Sequence, residues 1–232
     1  MVTNKISVLC TRAISDTLVL KASAQNIAID VVPFIETDII RSTEIGAQVK
    51  HLAQKKITAI FTSINAVEAV VSQLTHIPDW TICCLGGMTK DIIIDFFGES
   101  KIAITAKNAS ALADKIVVAN PTNEAVFFCG DQRLDELPKI LRMHYIEVKE
   151  LIVYKTIQTP VYIEKNYDGI IFFSPSAVHS FFSVNTLPTT VVLFSIGKTT
   201  AATISTYCVN LVITSEWPGK EQMVDVVINY FK

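Results

Sequence analysis

Hydroxyl-bearing turns occur in this chain as a matched pair. Phe61-Thr62-Ser63-Ile64-Asn65-Ala66-Val67 returns as Phe172-Phe173-Ser174-Pro175-Ser176-Ala177-Val178, and the same shift of 111 positions carries Gly86 onto Gly197 and Thr89 onto Thr200. Six identities at one offset argue for two copies of one supersecondary unit. Each copy begins with an apolar strand-like run and passes through a Ser-bearing turn into a helical pattern. A helix N-terminus carries N–H groups without intrahelical partners and a partial positive charge, and a Ser or Thr there adds a hydroxyl. Such a turn can hold a carboxylate or a phosphate. Thr62, Ser63 and Asn65 are therefore candidate anion-binding residues in the first copy, and Ser174 and Ser176 in the second. Pro175 suits a first helical turn, where its missing N–H costs little. For one copy alone the plainer reading is N-capping without a ligand; duplication at matched edges favours binding.

Two glycine turns follow the same logic, Gly86-Gly87-Met88-Thr89 and Gly197-Lys198-Thr199-Thr200. Glycine lets backbone N–H groups approach a ligand closely, so Gly86, Thr89, Gly197, Thr199 and Thr200 join the candidates. The Gly-Lys-Thr run is not a P-loop, because that motif needs a glycine where Val192 stands, and no Gly-x-Gly-x-x-Gly follows any strand. Gly130-Asp131-Gln132-Arg133 also joins a strand to a helix, and its arginine can grip a carboxylate bidentately or simply be solvated. Arg12 occupies the matching place after the first strand. Tyr154 ends a long apolar run and is expected to face a cleft or to pack an interface. The four histidines lack partner spacing, and no paired-carboxylate, Ser-His-Asp or metal-ligand pattern is present. No metal site is expected, and the chemistry falls to hydroxyls and backbone.

These turns need a scaffold of alternating elements. Strand-like runs at 6–10, 29–32, 59–61, 81–85, 101–104, 125–129, 147–154, 169–173, 191–195 and 210–213 alternate with helical patterns at 15–25, 45–54, 65–74, 90–97, 110–118, 134–142, 176–182, 199–206 and 220–231. That alternation implies parallel sheets covered by helices on both faces, about five strands each, in flavodoxin-like order. Cys-Thr-Arg at 10–12 echoes Cys-Gly-x-x-Arg at 129–133, which makes the two units interleaved. Residues 1–34 with 157–232 are expected to form one domain and 37–154 the other, joined as a hinge by crossings near 34–36 and 155–158.

Composition sets the outer limits. Half of the 232 residues are apolar and the mean hydropathy is +0.41, enough for a large core. No apolar run reaches the ~18 residues of a membrane helix, and the first residues show no signal-peptide pattern, so a cytoplasmic location is expected. Net charge is −2 with scattered Lys and Arg, which disfavours nucleic acid as a partner. The five cysteines lack CxxC spacing and read as packing residues in a reducing compartment.

Taken in order, Phe-Thr-Ser-x-Asn-Ala-Val, Gly-x-x-Arg, Val-Tyr-Lys-Thr at 153–156, Phe-x-Ser-Pro-Ser-Ala-Val and Ile-Gly-x-Thr-Thr-Ala at 196–201 resemble the uroporphyrinogen-III synthase family, from Arg12 to the last helix. One departure is Asn26-Ile27-Ala28, where the family commonly has a glycine before the second strand. The resemblance implies two interleaved α/β domains joined by a two-stranded linker. It implies a lyase that takes hydroxymethylbilane, a linear tetrapyrrole with eight carboxylates, and closes it to uroporphyrinogen III with inversion of ring D and loss of water. It implies a monomer that needs no cofactor and has no membrane partner. On that reading Thr62, Ser63, Asn65, Gly86 and Thr89 form one wall, with Gly130 and Arg133 beside them. Ser174, Ser176, Gly197, Thr199 and Thr200 form the other, and Tyr154 is the proton donor or orienter. The rival readings are a non-catalytic two-domain binder of an anionic small molecule, and a nucleotide-sugar or NAD-dependent enzyme.

Overall fold

The computed structural model describes residues 5–119, 123–217 and 219–232, so residues 1–4, among those that show no signal-peptide pattern, lie outside the described part. In chain order the elements are β1 (Ile6–Cys10), α1 (Asp16–Ser23), β2 (Ile27–Val31), β3 (Ile35–Ile39) and α2 (Thr43–Ala53). Next come β4 (Thr58–Phe61), α3 (Ile64–Val71), β5 (Thr81–Leu85), α4 (Met88–Phe97), a single 3-10 turn (Glu99–Lys101), β6 (Ile102–Ala106) and α5 (Ala109–Ala119). The remainder is β7 (Glu124–Gly130), α6 (Glu136–Met143), β8 (Glu147–Gln158), β9 (Gly169–Phe172), α7 (Pro175–Phe182), β10 (Val192–Ser195), α8 (Lys198–Ile204), β11 (Val212–Thr214) and α9 (Lys220–Phe231).

By internal packing the chain divides into two units, Met1–Glu36 with Ile157–Lys232, and Thr37–Thr156. Unit 1 holds a sheet in the order β11-β10-β9-β1-β2, with every neighbouring pair parallel. Counted within the unit this is strand order 2-1-3-4-5 from the β2 side, the flavodoxin-like arrangement. Unit 2 holds β3-β8-β7-β4-β5-β6. Its last five strands repeat the same order, with β7 in first place and β8 in second, and their pairs are again parallel. The second unit is thus a circular permutation of the first. The left-handed backbone marks the correspondence: Asn26 (φ 61°) and Tyr145 (φ 60°) each close the helix before the second strand of their unit. Asparagine is among the few side chains that tolerate this conformation, so the turn at Asn26 forms without a glycine.

The strand β3 is not anticipated by the sequence reading, which places only a crossing there. It pairs with β8 through Ile40 N–H to Val153 O (3.0 Å), and Thr159 N–H donates to Phe34 O (3.0 Å) just beyond it, so the two run antiparallel. Likewise β8 runs four residues beyond its expected end at Tyr154. The chain passes between the units in these two strands.

Central strands are buried from end to end, as parallel sheets covered on both faces require: all four residues of β4, β9 and β10 are inside. Unit 2 adds an aromatic stack in which Phe128 lies between Trp80 (centroids 5.3 Å) and Phe61 (5.1 Å), while the Trp80 indole donates to Leu52 O at 3.0 Å. The cysteines pack as expected. Burial pushes the thiols of Cys10 and Cys84 up to about 11 and those of Cys83 and Cys129 to about 12, so they stay protonated and inert at neutral pH.

Candidate active site

In each sheet the loops that leave the carboxyl ends of the strands carry the candidate residues, and that edge is where open parallel sheets bind ligands. The two Ser turns adopt one geometry. Ser63 is extended (φ −146°, ψ 149°) and its Oγ accepts from Ala66 N at 3.2 Å. Ser174 is extended (φ −164°, ψ 157°) and its Oγ accepts from Ala177 N at 3.2 Å, with Pro175 in the first turn. Both are N-caps, and both remain partly accessible, as do Thr62, Asn65 and Ser176.

Ser63 has a second partner. Its hydroxyl donates to the phenol oxygen of Tyr154 at 3.1 Å. With its oxygen accepting from Ser63, the phenol keeps its own proton to donate elsewhere. Burial raises the Tyr154 pKa above its ordinary value, a rise that the Ser63 hydrogen bond only partly opposes. The group is therefore a protonated phenol across the neutral range.

The placement of that ring rests on Gly130. β7 and β8 run in register until a bulge between Cys129 and Gly130, after which Gly130 stands opposite Tyr154. A Cβ at Gly130 would lie 2.5 Å from Tyr154 Cζ, so only glycine lets the ring lie across the end of β7. The backbone continues the clasp: Asp131 N–H donates to Tyr154 O (3.2 Å), and Asp131 Oδ1 accepts from Thr156 N–H (2.9 Å).

Other candidates are placed differently. Arg133 does not extend outward; its guanidinium pairs with Glu150 of β8 and, at 3.2 Å, with Asp135. Arg142 joins the same carboxylate, whose side chain is only 14% exposed. Thr89 and Thr200 are buried in the first turns of α4 and α8. Gly86 donates its N–H to Ala106 O at 2.9 Å, and Gly87 (φ 68°) is the residue that opens α4. Gly197 and Thr199 lie at the accessible start of α8. Among the described residues no group of three or more His, Cys, Asp or Glu is arranged to hold a metal ion, and no helix is long and apolar enough to cross a membrane.

The Arg133–Glu150–Arg142 cluster carries a stability prediction. Burial pushes the Glu150 carboxyl up, but the two guanidiniums outweigh it and the net direction is down. A depressed carboxyl stabilises the fold above its unfolded-state value of about 4.3 and loses that contribution as pH falls through the lower folded value. Glu150→Gln is expected to be less stable than the parent at pH 7 by about 1 kcal/mol, between the values for exposed and buried pairs. The gap should close in urea melts taken progressively below pH ~4. A gap that stayed constant with pH would mean that packing, not charge, holds the cluster.

The family model described as uroporphyrinogen-III synthase HemD matches residues 16–225. No curated protein sequence matches the chain. Among solved structures it is similar to the uroporphyrinogen-III synthetase of Helicobacter pylori, at 15% identity and a TM-score of 0.69, over 97% of this chain and 99% of that one. It is also similar to a mutant uroporphyrinogen III synthase of the extremely thermophilic bacterium Thermus thermophilus, at 14% identity and a TM-score of 0.68, over 97% of both chains.

Proposed function

Since the chain belongs to the uroporphyrinogen-III synthase family, we propose that it is an enzyme that cyclises hydroxymethylbilane to uroporphyrinogen III with inversion of ring D and release of water. The reaction is a cofactor-independent lyase step. The substrate's terminal hydroxymethyl group loses its hydroxyl as water, and the pyrrole nitrogen stabilises the resulting azafulvenium cation. The substituted α-carbon of ring D attacks that cation to form a spiro intermediate, which fragments and recloses in the inverted sense. Closure releases a ring proton, so the proton consumed by the departing hydroxyl is returned.

The observation that carries the site assignment is the Tyr154–Ser63 pair at the carboxyl edge of unit 2. A phenol held by its oxygen and free at its proton can protonate a leaving hydroxyl. The hydroxyl leaves a stabilised cation readily, so this is assistance to an easy step. The harder task is to bring the substituted carbon of ring D to the cation first, which is a matter of orientation. Thr62, Asn65, Ser174, Ser176, Gly197 and Thr199, with the helix N-termini they open, take carboxylates through N–H and O–H donors. Thr89 and Thr200 support their turns from inside, and Gly130 and Arg133 hold the strand ends that present Tyr154. The chain works as a cytoplasmic monomer.

The purified chain, with no added metal or nucleotide, is expected to convert hydroxymethylbilane mainly to the III isomer, read after oxidation by separation from the I isomer. Product consisting of the spontaneous I isomer alone would refute the reading. Turnover abolished by a chelator would refute cofactor independence.

A further inference from the structure

Two cations of unit 1 stand together without an acid. Lys220 opens α9, and the residues three and four places on, Met223 and Val224, are buried in the cluster that contains Val8 and Cys10 of β1. Positions i+3 and i+4 share a helix face, so Lys220 lies on the face of α9 that packs into this cluster, where α9 meets β10 and α1. Helical side chains lean toward the N-terminus, and this ammonium is within electrostatic reach of Cys10, the last residue of β1. There the chain continues through Thr11 to Arg12. Thr11 N–H donates to Ile171 O at 3.1 Å, and the Cys10 thiol donates to Arg12 O at 3.1 Å, which fixes the segment beside β9.

Lys220 and Arg12 are within electrostatic reach of each other and of Cys10. The nearest acids of α9 are engaged elsewhere, since Glu221 and Asp225 both pair with Lys21 of α1, at 3.4 and 2.7 Å. Among the described residues neither Lys220 nor the Arg12 guanidinium has an ion-pair or side-chain hydrogen-bond partner. Burial first, and the Arg12 charge second, lower the Lys220 pKa. Lys220 is partly buried and Arg12 exposed; like charges held close repel, and a bound anion would relieve them. The Ser174 turn leaves β9, the strand next to β1, at the same edge.

We propose that Arg12 and Lys220 form a carboxylate-binding pair at the carboxyl edge of unit 1, which takes one acetate or propionate arm of the tetrapyrrole. The guanidinium supplies a two-pronged grip and the ammonium a point charge. The identity of the carboxylate rests on the synthase reading; the preference for an anion does not.

Lys220→Met keeps the stem and removes the charge. It is expected to raise KM for hydroxymethylbilane by roughly ten- to a hundredfold, the scale of a lost charge-assisted contact, with kcat unchanged. Without anions its melting temperature should equal or exceed that of the parent, and the upward shift that added citrate produces in the parent should shrink. Lys21→Met is the contrasting variant: it should melt lower with an unchanged KM. An unchanged KM in Lys220→Met, or an undiminished citrate shift, would overturn the proposal. If the parent made no III isomer the synthase reading would fail, and the citrate shift would still decide whether this pair binds anions.

Discussion

Tyr154→Phe is expected to lower turnover at saturating hydroxymethylbilane by roughly ten- to a thousandfold, the range for one positioned acid–base group. The substitution removes only the hydroxyl that receives the Ser63 hydrogen bond. The ring keeps its place over Gly130, so stability should change by no more than about 1 kcal/mol, the net worth of a typical hydrogen bond. Because the phenol acts on the departing hydroxyl, the loss should appear in kcat more than in KM. The III-to-I isomer ratio should fall as well, since spontaneous closure then competes. Steady-state kinetics with product separation, beside a melting curve, test this directly. Near-normal turnover would remove Tyr154 from the chemistry and leave orientation as the source of rate. Retained turnover with a lowered melting temperature would make it a packing residue.

Gly130→Ala should cost as much activity without touching any reacting group. The added methyl would fall 2.5, 2.6 and 2.8 Å from Tyr154 Cζ, Cε2 and Oη. Contacts that short are relieved only if the ring swings away, and the ring is what meets Ser63. Turnover is expected to drop by about the factor seen in Tyr154→Phe, with a stability loss of about 1–3 kcal/mol from overpacking. The double variant Gly130→Ala/Tyr154→Phe should then turn over no more slowly than either single variant, because both remove one function. Multiplying losses in the double variant would show that Gly130 acts independently of the tyrosine. Full activity in Gly130→Ala would show that the ring shifts without leaving its partner, and the seating role would be withdrawn.

Local signals in the chain account for much of this molecule. Alternating apolar runs and helical periods are sufficient to imply parallel sheets, because only helix-covered strands read as unbroken apolar stretches. The caps at Ser63 and Ser174 are equally local, since a cap bonds an N–H three residues on. The echo of Cys10 at Cys129 marks the first strand of each sheet, and from it the permuted order follows. β3 carries no such signal. Its sequence, Ile-Glu-Thr-Asp-Ile, is short and acidic, and it becomes a strand because β8 offers an unpaired edge to it. The fate of Arg133 depends on a partner 17 residues away, which only the β7–β8 register brings alongside. The burial of Thr89 and Thr200 depends on how α4 and α8 are rotated on their sheets, which a motif does not state. The seat of Tyr154 is the clearest case. Tyrosine at the end of an apolar strand is visible in the sequence, and so is glycine at the end of another. That they face each other depends on a one-residue bulge after Cys129, because side chains alternate across a strand and an unbulged register would have set Val153, not Tyr154, opposite Gly130.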